Sequence, residues 1–334
     1  MPPAIEESVV VITGASSGIG RATALAFARR GASVVLAARR APALADVAAE
    51  CEGLGARALA VPTDVTDEDA VQALARRALE AFGRIDVWVN NAGVTAMGFF
   101  EAIPPDVFRR VIETNLFGVV HGARAVLPHF RERASGVLIN VASVNGKAAG
   151  PYASDYVASK FGVVGFSESL RQEAILRGDD VHVCTVLPAS IDTPLFQHAG
   201  NYAGRGIKPM KPVYDAEQVA ETILGLVESP QREVFVGNAG RMMALMHGLV
   251  PGYFERRMAA KVDQDHFQNW PADLGRGNLF SPTGPDGIAG GWKTPGSARA
   301  MGLAAVLAAG VGLGLAAWWL ASSRSRPEWA RLDS

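Results

Sequence analysis

Seven short apolar runs, rich in valine, isoleucine and leucine, punctuate the first 236 positions: residues 9–13, 33–38, 57–61, 85–90, 136–142, 181–187 and 233–236. Most are apolar at nearly every position rather than at every second one. Runs of that kind belong to strands covered on both faces, as in a parallel sheet with helices on each side. Between them lie longer stretches of helical length and period, among them residues 18–30, 42–53, 67–82 and 153–177. The alternation predicts an α/β fold, a doubly wound parallel sheet of seven strands, with its ligand crevice at the carboxyl ends of the strands.

Past Gly237 the pattern changes. Residues 241–267 read as one or two amphipathic helices with a Met-rich apolar face, and residues 269–296 are dense in glycine and proline. Residues 300–321 carry no charge at all. The expected organisation is a sheet domain at 1–238, a helical extension at 239–268, a Gly/Pro-rich linker at 269–299, a candidate transmembrane helix at 300–321 and a short polar tail at 322–334.

Composition narrows the functional classes. Hydrophobic residues make up 49% of the 334 and charged residues 19%, enough apolar surface for a sizeable core. A net charge of −1 without a basic stripe argues against nucleic acid as a partner. The two cysteines, Cys51 and Cys184, are far apart and form neither a metal site nor a disulfide framework, so no metal is expected. Residues 1–8 are polar and show no signal-peptide pattern.

The chemistry begins at the end of the first strand, where Thr13, Gly14, Ala15, Ser16, Ser17, Gly18, Ile19 and Gly20 lead into a helix. Glycines let backbone turn tightly against a pyrophosphate, and a helix N-terminus presents free N–H groups and a positive dipole end. Strand, turn and helix together are the context required of a Rossmann-type dinucleotide site. The second strand ends in Ala38 and Arg39, where an acid would hold a ribose 2′-hydroxyl; an arginine suits a 2′-phosphate instead. The competing reading makes Arg39 and Arg40 the solvated start of the next helix. Tyr156 and Lys160, four apart on a predicted helix, share one face, and a neighbouring ammonium is expected to lower the phenol's pKa towards a working range. Ser143, at the end of the fifth strand, reaches the same crevice.

Residues 13–20, then Asn90 to Gly93, Asn115, Ser143 and the run Tyr156 to Lys160 occur in the order and at the spacings of the classical short-chain dehydrogenase/reductase family. The chain resembles that family over residues 9–238, about two-thirds of its length. The resemblance implies an enzyme acting on a carbonyl/alcohol pair with a nicotinamide cofactor, and Arg39 in place of an acid makes NADP(H) the expected form. It makes Tyr156 the general acid/base, Lys160 the residue that tunes Tyr156 and binds the nicotinamide ribose, and Ser143 a hydrogen-bond donor to the substrate oxygen. Asn115 helps to hold a proton-relay water. Gly14, Ser16, Ser17, Gly18, Ile19, Gly20 and Arg39 take the phosphates, with Ser16 and Arg39 on the 2′-phosphate. Asp64 and Val65 flank the adenine, Asn91, Ala92 and Gly93 line the cleft, and Thr193 meets the carboxamide. Tyr152 is excluded as the catalytic tyrosine because four residues on lies Tyr156, not a lysine. One departure stands out: where the family has Pro-Gly after the sixth strand, this chain has Pro188 and Ala189, and an alanine restricts positive φ. The resemblance also implies a homo-oligomer built on helices around residues 106–133 and 153–177.

Residues 190–214 are expected to form a mobile lid; their Leu195, Phe196, Tyr202, Met210 and Tyr214 suggest a lipophilic small-molecule substrate. Two other functions stay open: an NADP(H)-binding sensor or scaffold without turnover, and a sugar-nucleotide epimerase. The complete Ser143, Tyr156 and Lys160 set speaks against the first, and the absence of a large C-terminal substrate domain against the second. The run at 300–321 has the length of a membrane span, Trp318 and Trp319 at one end and Gly310 and Gly314 at packing distance. It is expected to anchor the chain by its C-terminus with the catalytic domain facing the cytoplasm. A soluble cytoplasmic protein whose last segment is a buried helix or an Ala/Gly tail is the alternative.

Overall fold

The computed structural model describes residues 4–293. Seven parallel strands form its sheet: β1 (Val9–Thr13), β2 (Ser33–Ala38), β3 (Ala58–Pro62), β4 (Val87–Asn90), β5 (Gly136–Val141), β6 (Val181–Pro188) and β7 (Glu233–Val236). They lie in the order β7-β6-β5-β4-β1-β2-β3. Each apolar run of the sequence is a strand of this sheet. The chain winds outward from β1 in both directions, so the crevice opens where β1 lies between β2 and β4, beyond their carboxyl ends.

Helices α1 (Gly18–Arg29), α2 (Ala41–Gly53), α3 (Glu68–Phe82), α4 (Pro105–Ile112), α5 (Gly118–Glu132), α6 (Ser154–Arg177) and α7 (Ala216–Glu228) accompany the sheet. Two apolar clusters fill the layers, one on each face. Val10 and Ile12 point into one and Val9 and Val11 into the other, as the alternation of side chains along a strand requires. Helix α6 is tied to the sheet by a buried polar chain. Trp88 Nε1 donates to Asn90 Oδ1 (2.8 Å), Asn90 Nδ2 to Asn140 Oδ1 (2.9 Å), and Asn140 Nδ2 to Ser167 Oγ (2.9 Å). Every link is satisfied, so this chain fixes the helix that carries Tyr156 and Lys160 against β4 and β5.

The C-terminal part differs from its expected organisation. The helical extension is two helices, α8 (Asn238–Leu249) and α9 (Pro251–Asp265), as the period suggested. The Gly/Pro-rich stretch does not stand apart as a linker: the compact unit runs to Trp292 without a break at residue 238. Residues Phe267–Pro271 form a strand antiparallel to Arg205–Ile207, inside the segment expected to be a mobile lid. Leu279 is fully buried, and Ile288 packs against the main core. Apolar side chains at these positions hold the stretch down despite its composition. Among the described residues no helix is long and apolar enough to cross a membrane, and the candidate span at 300–321 lies outside them.

Candidate active site

The turn after β1 is built on close backbone contact. Gly14 sits at φ +67°, and a Cβ there would lie 2.8 Å from Ala92 Cα; a Cβ on Gly20 would lie 2.1 Å from Gly14 O. Neither position admits a side chain. Thr13 and Asn91 clamp the turn to the end of β4: Thr13 Oγ1 accepts from Asn91 N (3.0 Å), and Asn91 Nδ2 donates to Thr13 O (2.9 Å). Gly14, Ser16, Ser17, Gly18 and Ile19 then face one long cavity of about 840 Å³. Arg39, Asp64, Val65, Asn91, Ala92, Gly93, Ser143, Tyr156, Lys160 and Thr193 line the same cavity. Of the residues singled out in the sequence, Gly20 and Asn115 are absent from its wall.

Asn115 lies behind the wall, on a π-turn (Glu113–Phe117) that separates α4 from α5. Its Oδ1 accepts from Val94 N (2.8 Å) and its Nδ2 donates to Val94 O (2.9 Å) and Ser159 Oγ (3.1 Å). One side chain thus joins the strand-end loop to α6, one residue from Lys160. Single-turn π-bulges of this kind gather at functional sites.

Lys160 is buried, and its Nζ donates to Val141 O (2.9 Å) and lies 5.5 Å from the centre of the Tyr156 ring. Burial brings its pKa down from 10.5 to about 8. The Tyr156 phenol departs from expectation: burial pushes it above the usual phenol value, with a hydrogen bond from Ser143 pulling the other way. Desolvation outweighs any help from the lysine here, so the phenol keeps its proton at neutral pH. Ser143 caps the short turn Val144–Gly146, its Oγ accepting from Asn145 N (3.1 Å). Tyr152 is engaged elsewhere, its hydroxyl donating to Asp263 Oδ1 (2.7 Å). Ala189 fits without strain: among the described residues the non-glycine positions at positive φ are Ala134 and Tyr152.

At the far end Arg39 lies with Asp64 and Arg110. Arg110 Nη2 donates to Asp64 Oδ2 (2.6 Å), and Thr66 N and Oγ1 donate to Asp64 Oδ1. Burial alone would raise the Asp64 carboxyl, but the Thr66 and Arg110 hydrogen bonds prevail and hold it below the usual range. Burial lowers the Arg39 guanidinium, with Asp64 opposing. Arg110 escaped the sequence reading because nothing local marks it; only the fold brings α4 to Asp64. At the other end Met97, Phe196, Met210, Met243, Met246, Phe254 and Met258 line the cavity, and the Met-rich helices supply much of that wall. The cavity is therefore polar and cationic at one end and methionine-rich at the other, where Lys211, Arg257, Lys261 and His266 also line it, with Ser143, Tyr156 and Lys160 on the same wall.

The residues and spacing required for a nicotinamide dinucleotide are present. Gly14, Ser16, Ser17 and Gly18 of the turn share one cavity with Arg39 and Tyr156.

Comparison with known proteins gives the family. The profile described as short chain dehydrogenase matches residues 8–202. The protein called uncharacterized oxidoreductase YxnA, of Bacillus subtilis, is 38% identical over 256 residues, 76% of this chain and 72% of its own. A short-chain dehydrogenase/reductase from Burkholderia phymatum, solved in complex with NAD, matches with a TM-score of 0.67 at 29% identity, covering 74% of this chain and 95% of that one. An alcohol dehydrogenase from Thermococcus sibiricus, complexed with 5-hydroxy-NADP, matches with a TM-score of 0.60 at 30% identity, covering 69% and 95%. The chain belongs to the classical short-chain dehydrogenase/reductase family and is an oxidoreductase of that type.

Proposed function

We propose that this protein interconverts a carbonyl and an alcohol on a lipophilic small molecule, with NADP(H) as cofactor. The observation that carries the reading is the meeting of Ser143, Tyr156 and Lys160 on one cavity wall, which a cationic cleft and a methionine-rich chamber share. When bound, the dinucleotide supplies or accepts the hydride. The chain's own residues handle the proton. In reduction the Tyr156 phenol, protonated at neutral pH, gives its proton to the carbonyl oxygen, and the Ser143 hydroxyl donates to that same oxygen as charge gathers on it. Lys160, cationic below about pH 8, favours the phenolate left behind. Oxidation runs the same path backwards and needs the phenol deprotonated, so a raised phenol pKa makes alkaline conditions favour that direction.

Preference for NADP(H) rests on Arg39 at the end of β2, on the cavity wall, where an NAD-binding site would carry an acid. The relatives span both forms, one solved with NAD and one with 5-hydroxy-NADP. The test is turnover with NADPH and NADH on a series of ketones of rising chain length. NADPH is expected to win by at least about tenfold, and Tyr156→Phe to lose on the order of 10²-fold or more in rate with dinucleotide binding intact. Equal use of NADH would overturn the role of Arg39, and a surviving rate in Tyr156→Phe that of the tyrosine.

The uncharged run at 300–321 completes the proposal as a C-terminal membrane anchor that keeps the catalytic domain beside lipophilic substrates. Full-length protein should then resist carbonate extraction from membranes, and a chain ending near residue 296 should not pellet. Both in the supernatant would end the anchor reading.

A further inference from the structure

The stretch after the last strand lies across the dinucleotide cleft. On one lip, Arg39 Nη1 donates to Leu279 O (2.9 Å), Arg39 Nη2 to Asn278 O, and Arg40 Nη1 to Gly284 O (3.1 Å). Arg21 Nη1 donates to Asp286 O (2.7 Å), and Gly18 N, in the glycine turn itself, to Gly287 O (3.0 Å). The Asp286 carboxylate pairs with Arg40. On the opposite lip, Asp192 Oδ1 accepts from Gly290 N (2.9 Å) and Trp292 N (3.0 Å), and Trp292 Nε1 donates to Thr193 O (3.2 Å). Asn278, Pro282 and Thr283 form part of the cavity wall.

The stretch is fitted to this place. Gly284 sits at φ +83°, and a Cβ there would lie 2.4 Å from the His198 ring. Leu279 is fully buried among Val94, Ala96, Ile103, Val107 and Val111, which pins one end. Its contacts on the first lip are backbone carbonyls and one carboxylate, and those on Arg39 and Gly18 N sit on donors that would face phosphate oxygens. Carbonyl and carboxylate oxygens satisfy cationic donors as phosphate does, only more weakly per group.

We propose that residues 278–287 form a strap that occupies the donors of the dinucleotide site, so that the cofactor binds only after the strap has been released from them. The proposal rests on the reading of the cleft as a dinucleotide site. It gives the C-terminal stretch a function in cofactor exchange and makes Asp286 and Leu279 its fastenings. Asp286 is an internal anion held on Arg40, beside the arginine assigned to the 2′-phosphate, and Leu279 is the hydrophobic pin.

The test is stopped-flow binding of NADPH and NADH to the full chain, comparing wild type with Asp286→Ala and Leu279→Ala. The association rate constant is expected to rise, by about threefold or more in Asp286→Ala and more than about tenfold in Leu279→Ala, with the dissociation rate constant little changed, because a bound dinucleotide has already displaced the strap. Amide hydrogen exchange across residues 278–287 should quicken in parallel, while the seven-stranded core stays protected. Should Leu279→Ala fail to fold, Asp286→Ala alone decides, since it removes one partly exposed carboxylate. Dinucleotide binding with an unchanged association rate constant in Asp286→Ala would overturn the strap and leave the cofactor reading standing. No dinucleotide binding in wild type or variant would overturn the cofactor reading, and the strap with it.

Discussion

Lys160 is held charged in a place that disfavours charge, and the size of that penalty can be worked out. Its pKa is 10.5 in an unfolded chain and about 8 in the fold, where burial is the cause. At 1.36 kcal/mol per pKa unit, the folded state forgoes about 3 kcal/mol at neutral pH relative to a lysine of ordinary pKa. Between about pH 8 and 10.5 the unfolded chain binds the proton and the folded one does not. Stability from this group therefore rises with pH across that window, and the penalty is fully present below it. Replacement by methionine removes the charge and keeps an apolar stem of similar reach. It also leaves Val141 O without its donor, which costs about 1–2 kcal/mol.

Lys160→Met should thus be more stable than wild type by about 1–2 kcal/mol at pH 7 and should lose that advantage between about pH 9 and 10. Urea unfolding of both proteins at intervals from pH 7 to 10.5 reads the difference, and groups that titrate alike in both cancel from it. A difference that stays flat over the whole range would mean that Lys160 is not desolvated in the way its surroundings require. A gain in stability joined to a loss of turnover would mark Lys160 as a residue kept for chemistry at the expense of the fold.

The buried polar chain offers a second test: Asn140→Ala leaves Asn90 and Ser167 each short of a partner and should cost about 2–4 kcal/mol in urea unfolding, a loss under about 0.5 kcal/mol counting against the network. Burial raises Asp155 to about pH 6, so the folded state prefers its protonated form and stability from this group is lost as pH rises from 3.8 through 6. Asp155→Asn should accordingly be stabilising by up to about 3 kcal/mol at pH 7 and neutral near pH 4, and the same gain at both would refute the argument.

Much of this site could be read from the chain because its parts are local. A glycine turn between a strand and a helix, or a tyrosine four residues before a lysine, has the same meaning wherever the helix and strand form, and α1 and α6 form as their periods require. The π-turn that holds Asn115 left no such trace, since one extra residue in a helix has no residue type of its own. The raised phenol of Tyr156 was illegible for another reason: the sequence pairs the phenol with an ammonium, but only the fold says how much water either retains.

The Gly/Pro-rich stretch misleads most instructively. Glycine and proline without a period are the mark of a flexible connection, yet here glycine permits close approach, as at Gly284 over the His198 ring. Composition alone does not separate the two meanings, but the residues between the glycines do. A solvated linker has little use for large apolar side chains. This stretch carries Leu279, Phe280, Ile288 and Trp292. Leu279 is fully buried, Ile288 packs on the core, and Trp292 hydrogen-bonds to Thr193. Spaced apolar residues in a chain too irregular for helix or strand signal a segment laid against a surface, and the surface it meets here is the wall of the cavity that the glycine turn also lines.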